Sequence, residues 1–121
     1  ESALKYYFRV EYKDPGNLKI LRPIAFCYFA LGRFADSEKY YERLATGKLN
    51  AYDYINRGHL ALCQRRGKEA VDFYRLGINS GQITKEKFMN IFEEDRPLLL
   101  SLRVNPDDLP ILLDYLLFSI E

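Results

Sequence analysis

The sequence predicts an all-α chain, an α-solenoid of antiparallel helix pairs closed by C-terminal capping helices. Two repeating series carry that expectation. A small residue, an aromatic four positions on and an apolar or small residue three after that occur as Ala3, Tyr7, Val10, as Ser37, Tyr41, Leu44 and as Ala70, Tyr74, Gly77. The copies lie 34 and 33 residues apart, inside the period range of helical solenoids. A second series precedes the later two copies. Leu21, Ile24, Ala25, Tyr28 stand before Ser37, and Tyr54, Arg57, Gly58, Ala61 stand before Ala70, with Ala25 and Gly58 each leading the next small residue by 12.

Offsets of three and four place such residues on one helix face, where a small side chain lets a neighbouring helix approach and the aromatic fills the space beside it. The opening segment, residues 1–17, reads as one helix with a closing turn at Asp14, Pro15, Gly16 and Asn17. Residues 18–50 form the first complete pair and 51–81 the second, with Gly32 and Gly67 between the helices of each pair and Thr46 to Asn50 between pairs. Pro23 lies within the first helix of the first pair, where it removes a backbone donor and implies a kink or a late start. Past Gly81 the pattern stops. Thr84 caps a helix carrying Phe88, Ile91 and Phe92 to about Asp95, and Pro97 opens a short apolar piece, Leu98 to Leu102. A last helix begins at Asn105 and Pro106, with Asp107 and Asp108 suited to its first turn, and is apolar around most of its circumference from Leu109 to Phe118. Residues 82–121 therefore read as a cap over the end of the array, or, through Leu116, Leu117, Phe118 and Ile120, as a docking or self-association surface.

The residues Leu21, Ile24, Ala25, Tyr28, Ser37 and Tyr41 resemble the tetratricopeptide repeat pattern. The opening segment, Ala3, Tyr7, Val10 and Pro15, is similar to the second helix of such a repeat, so the chain is expected to begin in mid-repeat as a fragment of a larger array. The resemblance covers residues 1–81. It departs at Arg57, where the family has Leu, at Ser37, where it has Ala, and at the turn of Gly67, displaced by two residues relative to Gly32. It implies a right-handed α–α superhelix in which first helices line a concave groove for a peptide or a helix. By that resemblance the groove carries Lys19, Arg22, Phe26, Phe29, Tyr52, Ile55, Asn56 and His59. Read without the family, Phe26 and Phe29 are large rings outside the internal stripe, which either meet the next helix or face a ligand. The family's carboxylate clamp is not expected, since Phe26 stands where that clamp has Asn.

Composition excludes several other roles. Lys plus Arg number 18 against 17 Asp plus Glu, leaving no field to steer nucleic acid or an anionic membrane. No stretch reaches the roughly 20 apolar residues of a membrane helix, and Glu1 to Lys5 lacks a signal-peptide layout. The sequence names no compartment; the cytoplasm is favoured. Cys27 and Cys63, 36 residues apart, read as buried free thiols. The single histidine, His59, has no Cys, Asp or Glu nearby in sequence and reads as a surface or groove residue. Glu93, Glu94, Asp95 and Asp107, Asp108 read as solvated helix ends, and Arg65, Arg66, Lys68 as a wet turn. No catalytic set, metal site or cofactor is expected. What remains is a non-catalytic module that binds a protein or peptide, with self-association or a regulatory appendage to a larger protein as alternatives.

Overall fold

The computed structural model describes residues 2–13, 18–47 and 49–118. Among them the chain is all-α: α1 (Ser2–Lys13), α2 (Leu18–Ala30), α3 (Phe34–Leu44), α4 (Ala51–Cys63), α5 (Gly67–Ile78), α6 (Lys85–Ser101) and α7 (Asp108–Phe118). It divides into two compact units, Glu1–Leu49 and Asn50–Glu121. Helices α6 and α7 belong to the same compact unit as α4 and α5. The expected turn at Asp14 to Asn17 lies outside the described residues.

In the first unit α2 packs on α3 and α1 packs on α2. Leu4 of α1, Ile24 and Tyr28 form one cluster of its core, with Tyr7, Phe8, Ile20, Cys27 and Tyr40 packed against them. Glu11 fastens α1 to α3, accepting from the Tyr40 hydroxyl at 3.2 Å and pairing with Arg43 at 2.8 Å. Ala3, the small residue of the first repeated series, is exposed, and its neighbour Leu4 takes the interior place. Pro23 neither delays nor ends α2, which begins at Leu18 and runs five residues before it. The burial of Leu21, Ile24 and Ala25 on either side holds the turn that lost a backbone donor.

The α2–α3 turn ends in a left-handed residue. Gly32 has φ +78°, its N–H donates to the Phe29 carbonyl at 2.9 Å, and the Arg33 N–H donates to the Tyr28 carbonyl at 2.9 Å. These paired bonds satisfy carbonyls that the helix end leaves open. With only three residues joining two packed helices, the chain must reverse, so α2 and α3 are antiparallel. In the second unit the same closure recurs 33 residues on, with Arg65 in place of Gly32. Arg65 has φ +62°, its N–H donates to Leu62 at 3.1 Å, and Arg66 N–H donates to Ala61 at 2.8 Å. The turn residue is therefore Arg65 and not Gly67, which opens α5. The two-residue displacement seen in the sequence is the distance between a glycine used for its backbone freedom and one that is not. The device appears a third time after α6, where Arg103 has φ +73° and Val104 N–H donates to the Leu99 carbonyl at 3.1 Å.

In the second unit α4 packs on α5, and α5 also meets α7. Asn50 caps α4 reciprocally with Asp53: its side chain accepts from the Asp53 N–H at 2.9 Å, while the Asp53 carboxylate accepts from the Asn50 N–H at 2.9 Å. Gln82 accepts from the Ala51 N–H at 2.7 Å, tying the segment after α5 to the start of α4. Thr84 caps α6 as its sequence position implied, accepting from the Lys87 N–H at 3.0 Å. Beyond it α6 does not stop near Asp95 but continues through Pro97 to Ser101. Leu99, fully buried, anchors the turns past the proline. Asn105 accepts from the Asp107 N–H at 2.9 Å, a local turn that postpones α7 to Asp108. Helix α7 is two-sided despite its composition: Leu109, Leu113 and Leu116 are buried, while Ile111 and Tyr115 are exposed.

Candidate functional site

The residues expected in a groove fall on α2 of the first unit and α4 of the second. On α2, Lys19 is exposed, Arg22 is half-buried and Phe26 is 41% exposed. Phe29 is fully buried; it meets Phe26 edge to face with centroids 6.0 Å apart and packs on Phe34 of α3 at 6.3 Å. Of the two readings left open for these rings, Phe26 keeps an outward face and Phe29 is interior. On α4, Tyr52 is 46% exposed and Asn56 half-buried, whereas Ile55 and His59 are buried. Each first helix thus keeps one large accessible ring, Phe26 or Tyr52, beside polar groups.

His59 is a correction. It is 1% exposed, held between Tyr74 of α5 and Asp95 of α6. Its Nδ1 lies 2.7 Å from the Tyr74 hydroxyl and its Nε2 lies 2.9 Å from the Asp95 carboxylate. A carboxylate only accepts, so Nε2–H donates to Asp95, and in the neutral ring Nδ1 accepts from the Tyr74 hydroxyl. The partners stand 15 and 36 residues away in sequence, which is why no spacing around His59 disclosed them. Asp95 is accordingly a partner for a buried imidazole and no helix end. The rings of His59, Tyr74, Phe88 and Phe92 touch one another with centroids 5.5 to 5.9 Å apart, so the polar chain is sheathed in aromatic surface.

A missing methyl makes this arrangement possible. A Cβ on Gly58 would lie 2.5 Å from Tyr74 Cε1 and 2.6 Å from Cδ1, so only glycine lets the ring lie over α4. The ring laid there brings the hydroxyl to His59. Burial, with smaller contributions from Cys63 and Asp95, raises the Tyr74 pKa well above its ordinary value. Both Tyr74 and His59 are enclosed, and their bonds to each other and to Asp95 link α4, α5 and α6.

Cys27 and Cys63 are free and half-buried. Burial pushes the Cys63 thiol up to about 11, which keeps it neutral and a poor nucleophile near pH 7. Beside it, a cavity of about 400 Å³ is lined by Leu62, Cys63, Arg65, Arg103, Val104 and Asp108, among others. Among the described residues no three His, Cys, Asp or Glu side chains gather as metal ligands, and no helix is long and apolar enough to cross a membrane. On α7, Leu116 is fully buried and so is not part of a docking surface; the Phe118 side chain and Ile120 lie outside the described residues. No protein-family model, curated protein or solved structure matches the chain.

Proposed function

We propose that the chain is a non-catalytic protein- or peptide-binding scaffold module of the tetratricopeptide repeat type, a right-handed α-solenoid fragment whose first helices present the binding face. The observation that carries this reading is the recurrence of one helix-pair design at a 33-residue shift, with an accessible ring on each first helix: Phe26 on α2, 41% exposed, and Tyr52 on α4, 46% exposed. Lys19 and Arg22 beside Phe26, and Asn56 beside Tyr52, add groups that attract a carboxylate or hydrogen-bond a peptide backbone. The set around His59, although it has the composition of a catalytic one, is enclosed, which favours a structural role.

The test is selection of peptides from a displayed random library, followed by anisotropy titration of a selected peptide. The variant Arg22→Glu, Phe26→Ala, Tyr52→Ala should lose about tenfold or more in affinity while keeping its helical circular dichroism. Equal affinity in the variant, or no enrichment by the parent chain, would count against these faces. Phe29 and His59 are unsuitable probes because their truncation opens the interior. A second reading, self-association, draws on the exposed Ile111 and Tyr115 of α7 and Leu76 of α5. Light scattering that shows a monomer at high concentration would remove it.

A further inference from the structure

Helix α1 carries a face that the α2 and α4 reading does not use. Lys5, Arg9 and Lys13 recur at four-residue steps, which on a helix places them in one row about 6 Å apart. All three are exposed, and among the described residues none has an ion-pair partner. Tyr6 and Tyr12 flank the row on opposite sides, 62% and 89% exposed. The one acidic residue of α1, Glu11, points away from the row and is consumed by Arg43 and Tyr40. Like charges four residues apart weaken a helix, and among the described residues no acidic side chain of α1 stands in this row. Tyr12, and the part of Tyr6 that does not meet Tyr7, leave ring surface in water that a partner would bury.

We infer that this row is a docking surface for an acidic protein segment, whose carboxylates meet Lys5, Arg9 and Lys13 while Tyr6 and Tyr12 close over its flanks. Charge complementarity selects the partner. A nucleic acid is the weaker match, since the chain carries a net charge of only +1 and the row neutralises three phosphates at most. A bilayer is weaker still, because the apolar side of α1, with Leu4 and Phe8, is already packed within its unit. Tyr6, Tyr12 and Arg9 are of the residue types enriched at protein interfaces.

A fluorescein-labelled oligoglutamate peptide, titrated by anisotropy at low ionic strength, tests the surface. The full chain should bind it, and Lys5→Glu, Arg9→Glu, Lys13→Glu should weaken binding by about tenfold or more. Lys68→Glu, Lys85→Glu, Lys87→Glu changes the net charge equally on the other unit and should stay within about twofold of the parent. Tyr6→Ala, Tyr12→Ala should weaken binding by about threefold or more at unchanged charge. If the charge reversal disturbs the helix by circular dichroism, the Lys5→Gln, Arg9→Gln, Lys13→Gln variant takes its place. Absence of binding by the parent, equal losses in both charge-reversed variants, or tighter binding of labelled oligothymidylate than of oligoglutamate would each overturn the inference. These variants leave Phe26 and Tyr52 untouched, so this surface and the α2 and α4 faces fail or succeed separately.

Discussion

The two helix pairs solve one packing problem by different means. In α2–α3 the close approach is between Ala25 and Ser37, and the Ser37 hydroxyl donates to the Ala25 carbonyl at 2.6 Å inside the interface. In α4–α5 the equivalent positions, 33 residues on, are Gly58 and Ala70. There the polar function has moved off the small residue and onto the ring, since Tyr74 lies over Gly58 and its hydroxyl reaches His59. Position 26, which aligns with His59, is the partly exposed Phe26. The second pair has therefore exchanged an accessible ring for a buried imidazole that fastens α6. The lesson is that a repeat register fixes where helices touch, while the residue at one crossing decides whether that touch stays within the pair or recruits a further helix.

The largest expected effect strikes the second pair alone. Gly58→Ala should destabilise by about 3 kcal/mol, because the methyl meets the Tyr74 ring and displaces its hydroxyl from His59. Ala25→Gly in the first pair should cost only about 1 kcal/mol, the usual penalty of a helical glycine. Urea titration of both variants measures the contrast. Next in size, Tyr74→Phe removes the buried hydroxyl that meets His59 Nδ1 and should cost about 2 kcal/mol.

The turns allow an opposite-sign comparison. Arg65→Gly should stabilise by about 1 kcal/mol, and Gly32→Ala should destabilise by a similar amount, since both positions hold left-handed backbone. Thermal melts of the pair should move in opposite directions. The smallest effect is a pH dependence, to which Tyr40 contributes in the first unit and Tyr74 and Cys63 contribute in the second. All three pKa values are raised, chiefly by burial, Cys63 to about 11, so the folded chain holds these protons more tightly than the unfolded one. Their contribution is complete below the unfolded thiol value and declines as pH rises through about 9 towards 11. In a Cys27→Ala background, Cys63 should react slowly with a disulfide reagent at pH 8, and rapid reaction there would contradict the burial argument.

The periodic part of the fold was legible because helix packing writes itself into small and aromatic residues at fixed offsets. Tyr41, Ser37, Tyr74 and Ala70 sit in the interior as their register implied, and Thr84 caps where its position suggested. The turn of the second pair was misplaced because glycine marks left-handed backbone only when it is used for it; Arg65 occupies that conformation and carries no such mark. Helix α6 was cut short because Pro97 reads as a boundary, and the burial of Leu99 that carries the helix past it is a tertiary fact. His59 was the most opaque residue. Its partners lie on two other helices, and its position on a first helix pointed outwards until α6 was seen to hold Asp95 and Phe92 against it.

The central claim is that Gly58 is small in order to admit Tyr74, and a double-mutant cycle between Gly58→Ala and Tyr74→Leu tests it most directly. With the ring gone, the three atoms nearest the added methyl are gone with it, so Gly58→Ala in the Tyr74→Leu background should become neutral or stabilising by up to about 1 kcal/mol through helix propensity. The same alanine should destabilise by about 3 kcal/mol in the parent chain. Equal destabilisation in both backgrounds would show that the two residues are not coupled, and would contradict the account of how the second pair holds α6.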